Sequence, residues 1–168
     1  SAAIDQSVQS IETQAGTLKN TFGRLLMDRK APVTAAKLEK TLYNAGITDG
    51  LDELMMVSEM SISGVRAAMS VQSIANRQLA VVNDIKNAAD PAALEKASAR
   101  ILKLQNQINS ELIELPEHES TGQIIDRLKA FTASFESMIQ AKKVELSTLR
   151  EMMEKQTQIM ARISAVEN

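Results

Sequence analysis

The chain has 168 residues, 44% of them hydrophobic, with 19 basic and 21 acidic side chains and a formal charge of −2. That length sets one domain, or at most two stacked helical modules, and the near-neutral balance gives no general attraction to nucleic acid or to an anionic membrane. Aromatics make up 2% and cysteine is absent, which argues against a β-sandwich and excludes disulfides, thiolate catalysis and Cys-based zinc sites.

The first stretch, from about Ala2 to Arg29, places Ile4, Val8, Ile11, Ala15, Leu18, Phe22 and Leu25 at strict 4,3 spacing. That is the seam of a left-handed helical bundle. Pro32 breaks it, and a short amphipathic helix is predicted over Thr34 to Asn44. The segment Ile47–Gly50 reads as a turn, with Asp49 as a cap for the next helix. Leu51 to Asn87 is then helical. Leu51, Met55, Ile62, Val65 and Met69, and again Val71, Ile74, Val81 and Ile85, supply two apolar stripes. Its middle is crowded with small residues from Ser58 to Ser70, which let helices approach closely or leave room for a guest.

Asp90-Pro91 is a helix start, an N-cap followed by proline at the first helical position. The helix runs to about Leu115 through Leu94, Ile101, either Leu102 or Leu104, Ile108 and Leu112. After the turn at Pro116–Glu119, Ser120 with Gln123 reads as a capping box. The last helix, about 121 to 166, has no Gly or Pro after Gly122. Its stripe reads Ile124, Leu128, Phe131, Phe135, Met138, Leu146, Leu149, Met153, Met160 and Ile163. A helix of that length needs packing along much of it to stay ordered. The predicted fold is all-α: an elongated antiparallel up-down four-helix bundle with a kinked or broken first arm (2–44), then 51–87, 91–115 and 121–166.

The stretch Leu18 to Leu42 contains Phe22, Leu25, Leu26, Asp28, Leu38 and Leu42: a first helix ending in an F-x-x-L-L segment, a charged break and a second short helix. This resembles the helical bimodular sensor domain of methyl-accepting chemotaxis receptors and sensor histidine kinases. Ile125, Leu128, Phe131 and Phe135 in the last helix are similar as well. The simpler chemoreceptor-type four-helix sensor is an open alternative. The resemblance implies an extracytoplasmic, periplasmic domain held between two transmembrane helices of an inner-membrane receptor. It further implies a carboxylate as ligand and a homodimer in the full-length receptor, with the isolated domain a monomer or weak parallel dimer.

Four cationic positions and one hydroxyl are the candidate ligand-binding residues: Arg24, Arg29, Ser63, Arg66 and Lys142. Arg29 falls where the 4,3 seam calls for an apolar residue, so it either faces inward on a bidentate anion or sits in a last helical turn facing water. Lys142 also occupies a seam position, and it is either paired inside the bundle or snorkels to solvent. Arg66 lies among Ser63, Gly64, Ala67 and Ser70, which reads either as an anion pocket or as part of a solvated stripe with Ser73 and Arg77. From the residues alone the ligand is a small anion.

His118 reads as an exposed turn histidine without further metal ligands, and the methionines, including Met55, Met56, Met152 and Met153, as adaptable core. No metal or cofactor is expected. No nucleophile elbow or phosphate-cradling loop is present, so the chain is not read as an enzyme, although its parent is open to being a histidine kinase. The alternative to a receptor domain is a helical structural or interaction module, an adaptor, tether or secretion component with no small-molecule ligand. Apolar spans flanking residues 1 and 168 in the parent gene would separate the two.

Overall fold

The computed structural model describes residues 1–30 and 47–167, with side chains described for 1–27 and 62–167. Among them the structure is all-helical. Helix α1 spans Ala2–Lys30, α2 Ile47–Lys86, α3 Pro91–Glu111 and α4 Glu119–Glu167, and a 3-10 turn at Leu112–Glu114 closes α3. The short helix expected at Thr34–Asn44, and with it the break in the first arm, lies outside the described residues.

One core joins the four helices. Ile4, Ile11, Leu18, Phe22 and Leu25 of α1 are buried, so the 4,3 seam is the packed face, with Val8 and Ala15 at its edge. These residues meet Val71, Ile74, Val81 and Ile85 of α2, Leu94, Ile101 and Ile108 of α3, and Ile124, Leu128, Phe131, Phe135 and Met138 of α4. Helix α1 packs mainly on α4 and α2, α2 on α3, and α3 also on α4. Phe131 and Phe135 touch edge to face, with centroids 5.0 Å apart and planes at 89°. That geometry places one ring's positive edge on the other's negative face.

Several local expectations hold. Asp90 is extended, and its carboxylate accepts from the Ala93 N–H at 2.8 Å, capping α3 ahead of Pro91. The choice on α3 falls to Leu104, which packs on the core, while Leu102 faces solvent. Helix α4 is unbroken over 49 residues.

Others are corrected. The segment Ile47–Gly50 is helical, not a turn. One internal glycine costs a helix only about 1 kcal/mol against alanine, and Thr48 and Asp49 are well placed in a first turn. On α2, Ile62 and Met69 are exposed, and Ala67, Ala68 and Ala75 take their places in the core. The capping box at Ser120 is replaced by His118. Its Nδ1 accepts from the Ser120 N–H at 2.9 Å and its carbonyl from the Thr121 N–H at 3.0 Å, so this histidine is the half-buried N-terminal cap of α4. The stripe on α4 is buried only as far as Leu146. Leu149, Met152, Met153, Met160 and Ile163 are exposed, and the start of α3 borders Leu149 and Met153 only across an open groove.

Candidate functional site

Where α2 ends, α4 meets the start of α1. Lys142, one position in the seven-residue repeat after Phe135, points inward and is only 7% exposed. Its Nζ donates to the Lys86 carbonyl at 2.8 Å and to Glu145 Oε2 at 2.7 Å. The other carboxylate oxygen of Glu145 lies 3.6 Å from the Ser1 amine. The hydrogen bond from Lys142 holds the Glu145 carboxyl below its ordinary 4.5, against the opposing effect of desolvation. A carbonyl left open at the end of α2, one carboxylate and two ammonium groups thus tie the end of α2 and the start of α1 to the middle of α4. Of the two readings of Lys142, the structure has it inside and paired.

The other candidates lie elsewhere. Ser63 donates to Glu114 Oε2 at 2.8 Å, and Gly64 faces Pro116 so closely that a Cβ there would sit 3.2 Å from the ring. Residues 63 and 86 of α2 are separated by about 35 Å of helix, so Lys142 and Ser63 do not share a site. Phe22 and Leu18 lie across from Gln72 and Ala75. Since Lys86 and Ser1 mark one end, Arg24 and Arg66 both lie toward the other. Both are solvent-exposed, and Ser73 and Arg77 continue the polar stripe of Arg66. Arg29 belongs to the last turn of α1, and its side chain lies outside the described residues.

Among the described small residues of α2, Ala67 and Ala68 are buried in the core and Gly64 lies against Pro116. The space between Ala15, Leu18, Phe22, Gln72, Ala75 and Phe131 is about 20 Å³, room for one water and not for an organic anion. A larger, open groove of about 1200 Å³ lies between the start of α3 (Asp90, Leu94, Ser98) and the outer part of α4 (Leu146, Arg150, Met153). Two cations, Lys143 and Arg150, and three anions, Asp90, Glu95 and Glu154, line it, so it has no positive bias that would draw an anion. No group of three or more metal-ligating side chains occurs among the described residues.

A polar layer crosses the middle of the bundle and was not anticipated. Gln78, 1% exposed, donates through Nε2 to the Ile101 carbonyl at 3.3 Å and to Gln105 Oε1 at 3.4 Å. Thr132 donates to the same Gln105 oxygen at 2.7 Å. Gln78 Oε1 has no partner. On the other side, Ser134 donates to Gln14 Oε1 at 3.0 Å and lies 3.2 Å from the Ser10 hydroxyl. The signal was in the sequence: Gln78 completes the run Val71, Ile74, Gln78, Val81, Ile85 at core spacing.

Comparison with known proteins adds no relative: no family model, no curated protein and no solved structure matches the chain. No helix among the described residues is long and apolar enough to cross a membrane.

Proposed function

We propose that the chain is the periplasmic ligand-sensing domain of a bacterial transmembrane receptor, a sensor histidine kinase or a methyl-accepting chemotaxis protein. In this reading the four helices form an antiparallel up-down bundle. Its two ends lead to the membrane, and the full-length receptor is a homodimer. The observation that carries the reading is the Ser1 amine 3.6 Å from Glu145: α1 enters the bundle where α4 leaves it. A shift of α4 against α1 would then pass straight to whatever both helices are joined to. A ligand drives such a shift only by its difference in affinity for the two arrangements.

The ligand in this reading is a small anion, a carboxylate, held by Arg24, Arg29 and Arg66 at the end remote from Lys142. Arginine suits that task because its planar fork fixes a carboxylate's orientation as well as its charge. Ser63 is a poorer partner than the sequence suggested, because the Glu114 carboxylate that holds it would repel an anion. Calorimetric titration with mono-, di- and tricarboxylates tests the reading. Binding should be lost in Arg24→Ala, Arg29→Ala or Arg66→Ala and kept in Lys142→Met. Unchanged binding by the three arginine variants would remove the site, and no binding of any organic acid would remove the sensor reading.

A second reading, the helical interaction module, is favoured by the bare apolar surface of outer α4. Tight binding of a partner protein by a chain that ignores every small anion would select it.

A further inference from the structure

The polar layer at the middle of the bundle holds one buried acceptor that the fold leaves unused. Gln78 lies on the seam of α2 between Ile74 and Val81 and is 1% exposed, yet its Oε1 has no partner among the described residues. Turning the amide round does not cure this. Its Nε2 faces the Ile101 carbonyl at 3.3 Å and Gln105 Oε1 at 3.4 Å, so exchanging the two atoms would set oxygen against oxygen. Both bonds are long for N–H to O. A buried oxygen without a donor costs more than an apolar atom in its place, so methionine, of nearly the same shape, would serve stability better here.

The missing donor is close at hand. The Thr132 hydroxyl of α4 donates to Gln105 Oε1 at 2.7 Å, the same oxygen that takes the Gln78 amide at 3.4 Å. A slide of α4 by about 1–2 Å, the size of shift that packed helices make, with rotation of the two side chains, brings that hydroxyl to Gln78 Oε1. Gln105 is not left bare by the move. Its Oε1 keeps the Gln78 amide, and its own Nε2 keeps Asn109 at 3.4 Å. The number of hydrogen bonds is the same before and after.

The other flank of α4 is held in the same exchangeable way. Ser134, two residues on, has one hydroxyl proton and three oxygens around it: Gln14 Oε1 at 3.0 Å, the Ala130 carbonyl at 3.2 Å and the Ser10 hydroxyl at 3.2 Å. At this one level, then, α4 is gripped on both sides by rotatable hydroxyls that have a second acceptor within reach. A close-packed apolar core resists gradual deformation, and a shift within it needs two arrangements of like energy. We propose that the layer is a hydrogen-bond switch, in which α4 moves between a position with Thr132 on Gln105, as in the structure, and one with Thr132 on Gln78. The inference does not depend on the sensor reading, although it supplies the shift of α4 which that reading calls for.

NMR relaxation dispersion on the full chain tests it, with the Thr132 and Ile101 methyl groups and the Gln78 and Gln105 side-chain amides as probes. All four should show exchange on the microsecond-to-millisecond scale, and Leu94, in the first turn of α3, should not. Thr132→Val keeps the shape and removes the hydroxyl, and should abolish the exchange at Gln78 and Gln105. Gln78→Met removes the unused acceptor. It should abolish the exchange at Thr132 and raise the melting temperature by about 2–4 °C. Flat profiles at the four probes, or exchange that persists in Thr132→Val, would overturn the proposal, since no swap would then take place. So would a Gln78→Met chain that melts below wild type, because Gln78 would then be held as a fixed structural bond.

Discussion

Lys142→Met tests the reading of the buried lysine as a structural clasp. The substitution keeps most of the stem and its packing but removes the ammonium. The Lys86 carbonyl, the open acceptor at the end of α2, then loses its donor, and Glu145 keeps only the more distant Ser1 amine. A hydrogen bond to a charged group is worth about 1.5–3 kcal/mol, and an orphaned buried acceptor costs about 1–3 kcal/mol. Relief from burying the ammonium offsets part of this, and Glu145 is exposed enough to regain water. A net loss of about 1–2 kcal/mol follows, which lowers the melting temperature of a chain this size by roughly 2–8 °C. Lys142→Ala should lose more, because the stem packing goes as well. The same pair sets a pH dependence. The folded Glu145 carboxyl titrates below its ordinary 4.5. Its contribution is therefore full above that value and fades as pH falls through the lower folded value. Thermal melts followed by circular dichroism between pH 7 and pH 3 should show the gap between wild type and Lys142→Met narrowing in the acid range. A methionine variant as stable as wild type at pH 7, or a gap that widens on acidification, would refute the clasp.

Three further outcomes rest on single contacts. Asp90→Ala removes the oxygen that accepts from Ala93 and should cost about 1 kcal/mol in urea denaturation, with an unchanged slope. Gly64→Leu forces a side chain against the Pro116 ring, where even a Cβ sits at 3.2 Å. It should cost about 1–3 kcal/mol on the same assay, whereas Gly16→Ala, with open space around it, should cost nothing and add helix propensity. Phe131→Ala empties the centre of the core, where the ring is 1% exposed; a loss of about 3–5 kcal/mol is expected, and a loss below 1 kcal/mol would mean that the Phe131–Phe135 pair does not anchor the bundle.

The seam of α1 and the inner half of α4 were legible because a 4,3 repeat of apolar residues has one physical use, burial against other helices, and both are buried. The Asp90-Pro91 start was equally plain, since carboxylate and proline each serve a helix N-terminus for its own reason. What the pattern did not carry was the identity of the neighbour. Leu149, Met153, Met160 and Ile163 obey the same spacing as Phe135 and Met138, yet all four are exposed. Periodicity states that a face wants covering and is silent on what covers it. The polar positions show the same limit from the other side. Lys142 and Gln78 both interrupt apolar stripes, and a helical wheel treats each as a fault or a ligand site. Whether such a residue binds something external depends on acceptors brought from distant parts of the chain: the Lys86 carbonyl for one, the Ile101 carbonyl and Gln105 for the other. Those acceptors are backbone or neutral amide oxygens with no charge to betray them in sequence. A lone polar residue on an apolar seam is therefore evidence for a site only after the nearest helix ends and main-chain carbonyls have been counted. Lys142 fails that count, with both partners already in hand, while Gln78 passes it in part through its one unpaired oxygen.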